Sequence, residues 1–130
     1  MTESVSDTAL KQKIVLVVDD ETVIATTLAI ILNNAGFEAH AFFSGQEAID
    51  SLDKLQPDLL ITDVVMPGMT GIEAAIITRT KLPRCEILLL SGQAATNDLM
   101  KAARAQGHEF DIIAKPVHPT DLIQKLRGQP

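Results

Sequence analysis

The stretch Ile14-Val15-Leu16-Val17-Val18-Asp19-Asp20 decides the fold: five apolar residues in unbroken succession, then two acids. A strand with one face in water alternates apolar and polar residues. An unbroken run reads instead as a strand buried on both faces, the signature of a parallel sheet covered by helices. Two further runs share the property, Leu59-Leu60-Ile61 and Ile87-Leu88-Leu89-Leu90. Glu38 to Phe43 reads as an edge strand and Phe110 to Ala114 as a short final one.

Helical patterns fill the intervals. Ile24, Leu28, Ile31, Leu32 and Ala35 recur at helix spacing, with Gly36 as the stop. Ser44-Gly45-Gln46-Glu47 and Thr70-Gly71-Ile72-Glu73 match the capping box, in which a hydroxyl and a Glu satisfy each other's backbone N–H groups. They predict two helices of about ten residues, ending before Pro57 and before Pro83. Ala94 to Gln106 gives a fourth helix and Thr120 to Arg127 a fifth, stopped by Gly128. Five strand–helix alternations predict an α/β doubly wound parallel sheet with helices on both faces and right-handed crossovers.

Composition bounds the function. A chain of 130 residues that is 46% hydrophobic is one domain with a real core. Residues 1–12 read as a flexible polar leader and 13–128 as the folded unit. The net charge of −6 offers no footprint for phosphate backbones, which argues against direct nucleic-acid binding. The single cysteine, Cys85, excludes an internal disulfide and suits a reducing, cytoplasmic setting as a small buried filler. The longest early apolar run is far short of the roughly 20 residues of a membrane helix, and no export signal precedes it.

In a sheet of this kind ligands bind beyond the carboxyl ends of the strands. There the sequence places Asp19 and Asp20 after the first strand, Asp63 after the third, Ser91 after the fourth, and Lys115-Pro116 after the fifth. One Asp after a strand is commonly a turn or cap residue. Acids, a hydroxyl and a lysine at the ends of four strands are a constellation. Clustered carboxylates repel unless a cation joins them, and an all-oxygen donor set suits a hard ion such as Mg²⁺. A carboxylate beside such a cation can act as a nucleophile and accept a phosphoryl group. Asp63, projecting from a well-supported strand before the turn Met66-Pro67-Gly68, is the acceptor candidate. His40, His108 and His118 are dispersed and show no metal-ligand spacing. Met66 and Met69 read as packing residues.

The segments Val17-Val18-Asp19-Asp20-Glu21, Thr62-Asp63-Val64-Val65-Met66-Pro67-Gly68-Met69-Thr70-Gly71, Leu90-Ser91-Gly92 and Ala114-Lys115-Pro116 together resemble the receiver domain of two-component response regulators. The resemblance runs from about Lys13 to Arg127. It implies a flavodoxin-like sheet of order 2-1-3-4-5. It implies that Asp63 takes a phosphoryl group from a histidine kinase or histidine phosphotransfer protein. It also implies Mg²⁺ bound by Asp20, Asp63 and the Val65 backbone carbonyl, with Asp19 acting through water. Ser91 matches the switch hydroxyl, Lys115 the phosphate-contacting lysine, and the Lys115–Pro116 bond one that is usually cis in the family.

Two departures stand out. Ile112 occupies the position, three residues before the lysine, where the family usually carries a switch aromatic; the nearest aromatic is Phe110. Val65 and Gln93 match positions where the family tunes dephosphorylation, and apolar Val65 offers no side-chain help to an attacking water. The alanine-rich fourth helix predicts that region 91–115 is the movable face.

These readings make the chain a signalling switch rather than an enzyme, apart from its self-catalysed phosphoryl acceptance and slow dephosphorylation. The rival is a Mg²⁺-dependent aspartyl-phosphate phosphatase or phosphotransferase, but Val65 stands where that class carries its general acid. The third alternative, a degenerate binding module, would lack the acceptor, the acids or the lysine. Only Gly128-Gln129-Pro130 follow Arg127. The sequence therefore reads as a stand-alone receiver or a piece of a longer regulator or hybrid kinase. Expected partners are the phosphodonor, a downstream protein or linked output domain, and a second copy in a phosphorylation-dependent homodimer.

Overall fold

The computed structural model describes residues 12–92 and 95–128. The leader apart from Gln12, and Gln93 and Ala94, lie outside the described residues. Five strands form one all-parallel sheet: β1 (Ile14–Val18), β2 (Glu38–Phe42), β3 (Leu59–Asp63), β4 (Glu86–Ser91) and β5 (Asp111–Ala114). Their order is β2-β1-β3-β4-β5, as the resemblance implies. The helices are α1 (Thr22–Asn34), α2 (Gly45–Asp50), α3 (Leu52–Leu55), α4 (Gly71–Lys81), α5 (Ala95–Ala105) and α6 (Pro119–Leu126).

Strand parity explains the unbroken apolar runs. Val15, Val17, Leu59, Ile61, Leu88 and Leu90 point to one face and pack with Leu28 and Leu32 of α1 and Leu122 of α6. Leu16, Val18, Leu60 and Leu89 point to the other, against Ala48 and Ile49 of α2, Leu52 of α3, and Ala74 and Ala75 of α4. Each full burial of a Leu, Ile or Val stabilises by about 1.5–3 kcal/mol, so a polar residue in these runs would cost either layer. β2, with a single fully buried residue, is an edge strand as expected. Cys85 is buried just before β4.

The structure corrects the sequence reading in the second helix. A single helix from Gly45 to the residue before Pro57 is interrupted at Ser51, giving α2 and α3. The Ser51 hydroxyl donates to the Ala48 carbonyl (2.7 Å), a local bond that competes with regular helix. Gln56 then turns left-handed (φ 49°) before Pro57, and its side-chain amide donates to the Leu52 and Asp53 carbonyls. The capping box at Ser44 is also only half formed. Ser44 accepts from Glu47 N–H, but the Glu47 carboxylate reaches one residue further back and takes Phe43 N–H (3.1 Å). At α4 the box is complete, with Thr70 and Glu73 each accepting the other's N–H.

α1 is anchored less uniformly than its apolar periodicity suggests. Ala25, Leu28, Ala29 and Leu32 are buried, whereas Val23 and Ile30 stand 75% and 54% exposed. Ile24 and Ile31 are half-buried and line a surface groove, Ile24 packing against the core as well.

Candidate functional site

Because β1 and β3 are neighbours in the middle of the sheet, their carboxyl ends bring the acids together. The chain runs outward from β1 to β2 and then returns to β3, so this is the switch point of the topology. Asp19 is the first residue past β1 and wholly buried; Asp63 closes β3 and is almost so; Asp20 is exposed. One oxygen from each lies within 4.8 Å of the other two. Asp19 is fixed by its N–H donating to the Phe42 carbonyl (3.1 Å) and by its Oδ1 accepting from Glu21 N–H (3.0 Å).

Lys115, just beyond β5, reaches across β4 into this cluster. Its Nζ donates to Asp19 Oδ2 at 2.9 Å and stands 3.1 Å from Asp63 Oδ1. The Lys115 N–H donates to the Ser91 carbonyl (2.8 Å), which ties the lysine to the residue carrying the hydroxyl. The Lys115–Pro116 peptide is cis. Four sequence-predicted side chains, Asp19, Asp20, Asp63 and Lys115, therefore meet at the ends of β1, β3 and β5, and Ser91 closes β4 beside them, joined to Lys115 through its backbone carbonyl. Val65, the source of the expected backbone ligand, lies two residues past Asp63 with its side chain 36% exposed.

The electrostatics follow from crowding. Burial pushes the Asp63 carboxyl above its ordinary 3.8; the Lys115 hydrogen bond and charge oppose this, and the negative charges of Asp19 and Asp20 add to it. Burial alone would lower Lys115. Its hydrogen bonds to Asp19 and Asp63, and their charges, outweigh that and raise it above 10.5. Lysine is thus held firmly charged, yet one ammonium does not balance three carboxylates. The remaining negative potential and the all-oxygen donor set fit a hard divalent cation.

Two contacts were not legible as site features. The buried Thr62 hydroxyl donates to the Asp63 carbonyl oxygen (3.0 Å), and Gly71, the first residue of α4, lies directly against that same carbonyl. A hydroxyl inside a strand gives no sequence signal of this kind. Gly71 was visible only as the end of a motif.

Beside the acids a groove of about 1050 Å³ opens between α1 and the loop after β5. Asp20, Asp63 and Lys115 stand at one end, and Ile24, Ile31 and Val117 continue the wall. The predicted histidines stay apart from the site. His40 pairs with Glu38 (2.9 Å), His118 stands at the N-terminal boundary of α6 with no side-chain capping bond, and His108 stacks on Phe110. Phe110 is also covered by the Arg79 guanidinium, 4.6 Å from its ring centre, while Ile112 is 43% exposed. Met66 is buried and Met69 packs against the core, as packing residues should. No helix among the described residues is long and apolar enough to cross a membrane.

Comparison with known proteins converges on the same architecture. The family described as "Response regulator receiver domain" matches residues 15–127. The DNA-binding response regulator MtrA of Mycobacterium tuberculosis is 30% identical over 120 residues, covering 92% of this chain and 51% of the relative. Regulatory protein VanR of Enterococcus faecium is 29% identical over 115 residues, covering 88% and 48%. The chain thus spans about half the length of the curated relatives it matches. Among solved structures, the chemotaxis protein CheY4 of Vibrio cholerae superposes with a TM-score of 0.79 at 29% identity, covering 92% of this chain and 99% of that one. A CheY-like receiver domain protein of Methanospirillum hungatei gives 0.80 at 25% identity, covering 91% and 93%. With its sheet order, its strand-end acids and its lysine in place, the chain belongs to the response regulator receiver domain family of two-component signalling.

Proposed function

We propose that residues 13–128 form a cytoplasmic phospho-accepting switch whose acceptor is Asp63. The donor is a phosphohistidine on a histidine kinase or phosphotransfer protein. A carboxylate oxygen of Asp63 attacks phosphorus; the acyl P–O bond forms as the donor's P–N bond breaks, and the electron pair leaves with the imidazole. The observation that carries this reading is Lys115, whose single ammonium lies 2.9 Å from Asp19 and 3.1 Å from Asp63. A cation beside Asp63 is what phosphoryl oxygens on that residue would need, which supports the reading.

Asp20, Asp63 and the Val65 carbonyl would hold Mg²⁺, with Asp19 acting through water. When bound, the ion neutralises charge on the phosphoryl oxygens and on the clustered acids. The other roles fall to the protein. Lys115 contacts the phosphoryl group by charge and Ser91 by its hydroxyl. The apolar groove along α1 opens at the acceptor and provides a docking surface for the donor. Phosphorylation brings roughly two negative charges and three strong acceptors to Asp63. Drawing Ser91 and Lys115 toward them repacks the α5–β5 face for a downstream protein, a linked output domain or a second copy.

The phosphatase reading is not favoured. Val65 presents an apolar side chain, 36% exposed, where that chemistry needs an acid. The test is intact-mass spectrometry after incubation with acetyl phosphate. A gain of one phosphoryl group that requires Mg²⁺ and is lost in Asp63→Asn is expected. No gain in the parent, under conditions where Mg²⁺ binds, would overturn acceptance from a small donor and send the question to kinase-restricted transfer.

A further inference from the structure

The carbonyl group of Asp63 is gripped from two sides, which nothing about phosphoryl acceptance by itself demands. On one side Thr62, itself wholly buried, donates its hydroxyl to that oxygen at 3.0 Å. On the other, the first turn of α4 lies so close that a methyl group at Gly71 would overlap the oxygen. It would also stand 2.8 Å from the Asp63 carbonyl carbon and 3.0 Å from Val64 Cα. All of these are backbone atoms in the middle of the site, so the strain has no flexible side chain to absorb it. Gly71 N–H also donates to the Val64 carbonyl (2.8 Å), closing the loop that carries Val65. The complete capping box of Thr70 and Glu73 then fixes the direction in which α4 leaves.

We infer that Gly71 and Thr62 are positioning residues for the acceptor. The missing side chain at Gly71 lets α4 seat against the Asp63 peptide, and the Thr62 hydroxyl sets the orientation of that peptide. Together they fix the depth at which the Asp63 carboxylate meets Asp19, Asp20 and Lys115. Thr62 lies on the strand and Gly71 on the helix, so neither touches a reacting atom. Groups that orient cation-binding side chains typically alter metal affinity or activity by about 10–100-fold when changed. The inference rests on the reading of Asp63 as acceptor for its functional meaning, but its structural content is independent of the donor.

The experiment measures Mg²⁺ affinity by titration calorimetry, and phosphoryl uptake from acetyl phosphate at saturating Mg²⁺, in Gly71→Ala, Thr62→Val and Thr62→Ser. Gly107→Ala serves as control, since Gly107 is required for its positive φ (89°) rather than for a close approach, has open space where a Cβ would stand, and lies far along the chain from the acids. Expected is a loss of about tenfold or more in Mg²⁺ affinity for Gly71→Ala and a smaller loss for Thr62→Val. Thr62→Ser should return to the parent value, and Gly107→Ala should lose thermal stability while keeping it. Parent-like affinity in both Gly71→Ala and Thr62→Val overturns the inference, as does an equal loss in Gly107→Ala. If Gly71→Ala does not fold, the Val and Ser variants of Thr62 decide alone. A parent that binds Mg²⁺ but takes up no phosphoryl group refutes the acceptor reading, and the affinity series still decides the positioning.

Discussion

In β1 four of five residues are buried and in β3 all five, whereas in β5 three of four are exposed. The helices follow suit. α4, beside β3 and β4, buries Ile72, Ala74, Ala75 and Thr78, while α5 contributes Ala103 to the core with Leu99 and Met100 only half-covered. The site straddles these two regions. Its acids come from the sealed half of the sheet; its lysine comes from the open half, and Ser91 from the strand next to it. Under the proposed function this asymmetry has a use, because a charge change at Asp63 would act on elements that have little buried area to hold them in place. The Lys115 bonds to Asp19 and Asp63 link the halves at the site itself.

The sharpest way to break the comparison is to remove apolar volume from each half. Leu60→Ala, at a fully buried position of β3, should cost about 2–5 kcal/mol in urea unfolding. Ile112→Ala, at a β5 position 43% exposed, should stay within about 0.5 kcal/mol. Similar losses at the two positions would mean that the β5 face is covered in solution.

The link itself comes next. Lys115→Ala leaves the buried Asp19 and Asp63 without their shared cation and should cost about 2 kcal/mol in Mg²⁺-free buffer at neutral pH. Asp63→Asn should act in the opposite direction, since it relieves the crowded acids while Lys115 keeps Asp19. The pH dependence carries the sign. The Asp63 carboxyl is raised above 3.8, first by burial, so the folded protein holds that proton to higher pH than the unfolded chain. Its ionisation therefore removes stability as pH rises from 3.8 upward. The advantage of Asp63→Asn over the parent should grow across that interval and then level off. Lys115, raised above 10.5, contributes fully below that value and loses its contribution as pH climbs through the higher folded one. Urea titrations across pH, with and without Mg²⁺, test both; an Asn variant that is less stable than the parent throughout would contradict the crowding argument.

How much of this was legible in the sequence depends on whether a residue's role is set by its neighbours in the chain or across the fold. The central strands were, because burial on both faces leaves an unbroken apolar run, here too short for a helix and rich in Val, Ile and Leu. The site side chains were, because each follows its strand directly and the sheet order does the rest. The helix at Gly45 reads in the sequence as one piece but folds as two, because Ser51 and Gln56 satisfy carbonyls locally, a choice that propensity does not reveal. Gly71 is silent in the sequence as a site feature because its contact with the Asp63 carbonyl exists only once α4 folds back on β3, and Thr62 because a rotamer choice within a strand leaves no pattern. The apolar periodicity of α1 is real, but it does not separate the fully covered Leu32 from Ile31, which is half-buried and lines the groove.

The smallest expected effect concerns what holds the open half. Arg79 of α4 reaches under the segment entering β5, where its Nη1 donates to the Glu109 carbonyl (3.1 Å) and its guanidinium covers Phe110 at 4.6 Å. His108 stacks on the same ring, 6.2 Å between centres. This strap joins the sealed half to the one strand that carries Ile112 in place of a switch aromatic. A cation over an aromatic ring at a partly exposed site is worth about 0.5–1 kcal/mol, so Arg79→Ala should lower global stability by no more than that. Its local effect should be larger than its global one. Hydrogen exchange at residues 108–114 should accelerate while β1 and β3 keep their protection, because opening the strap exposes few buried apolar contacts. The same segment, and α5 before it, should then show the largest change in exchange when the parent is phosphorylated. Uniform acceleration across all five strands in Arg79→Ala would mean that the two halves open as one unit, and the asymmetry from which the switch is argued would disappear.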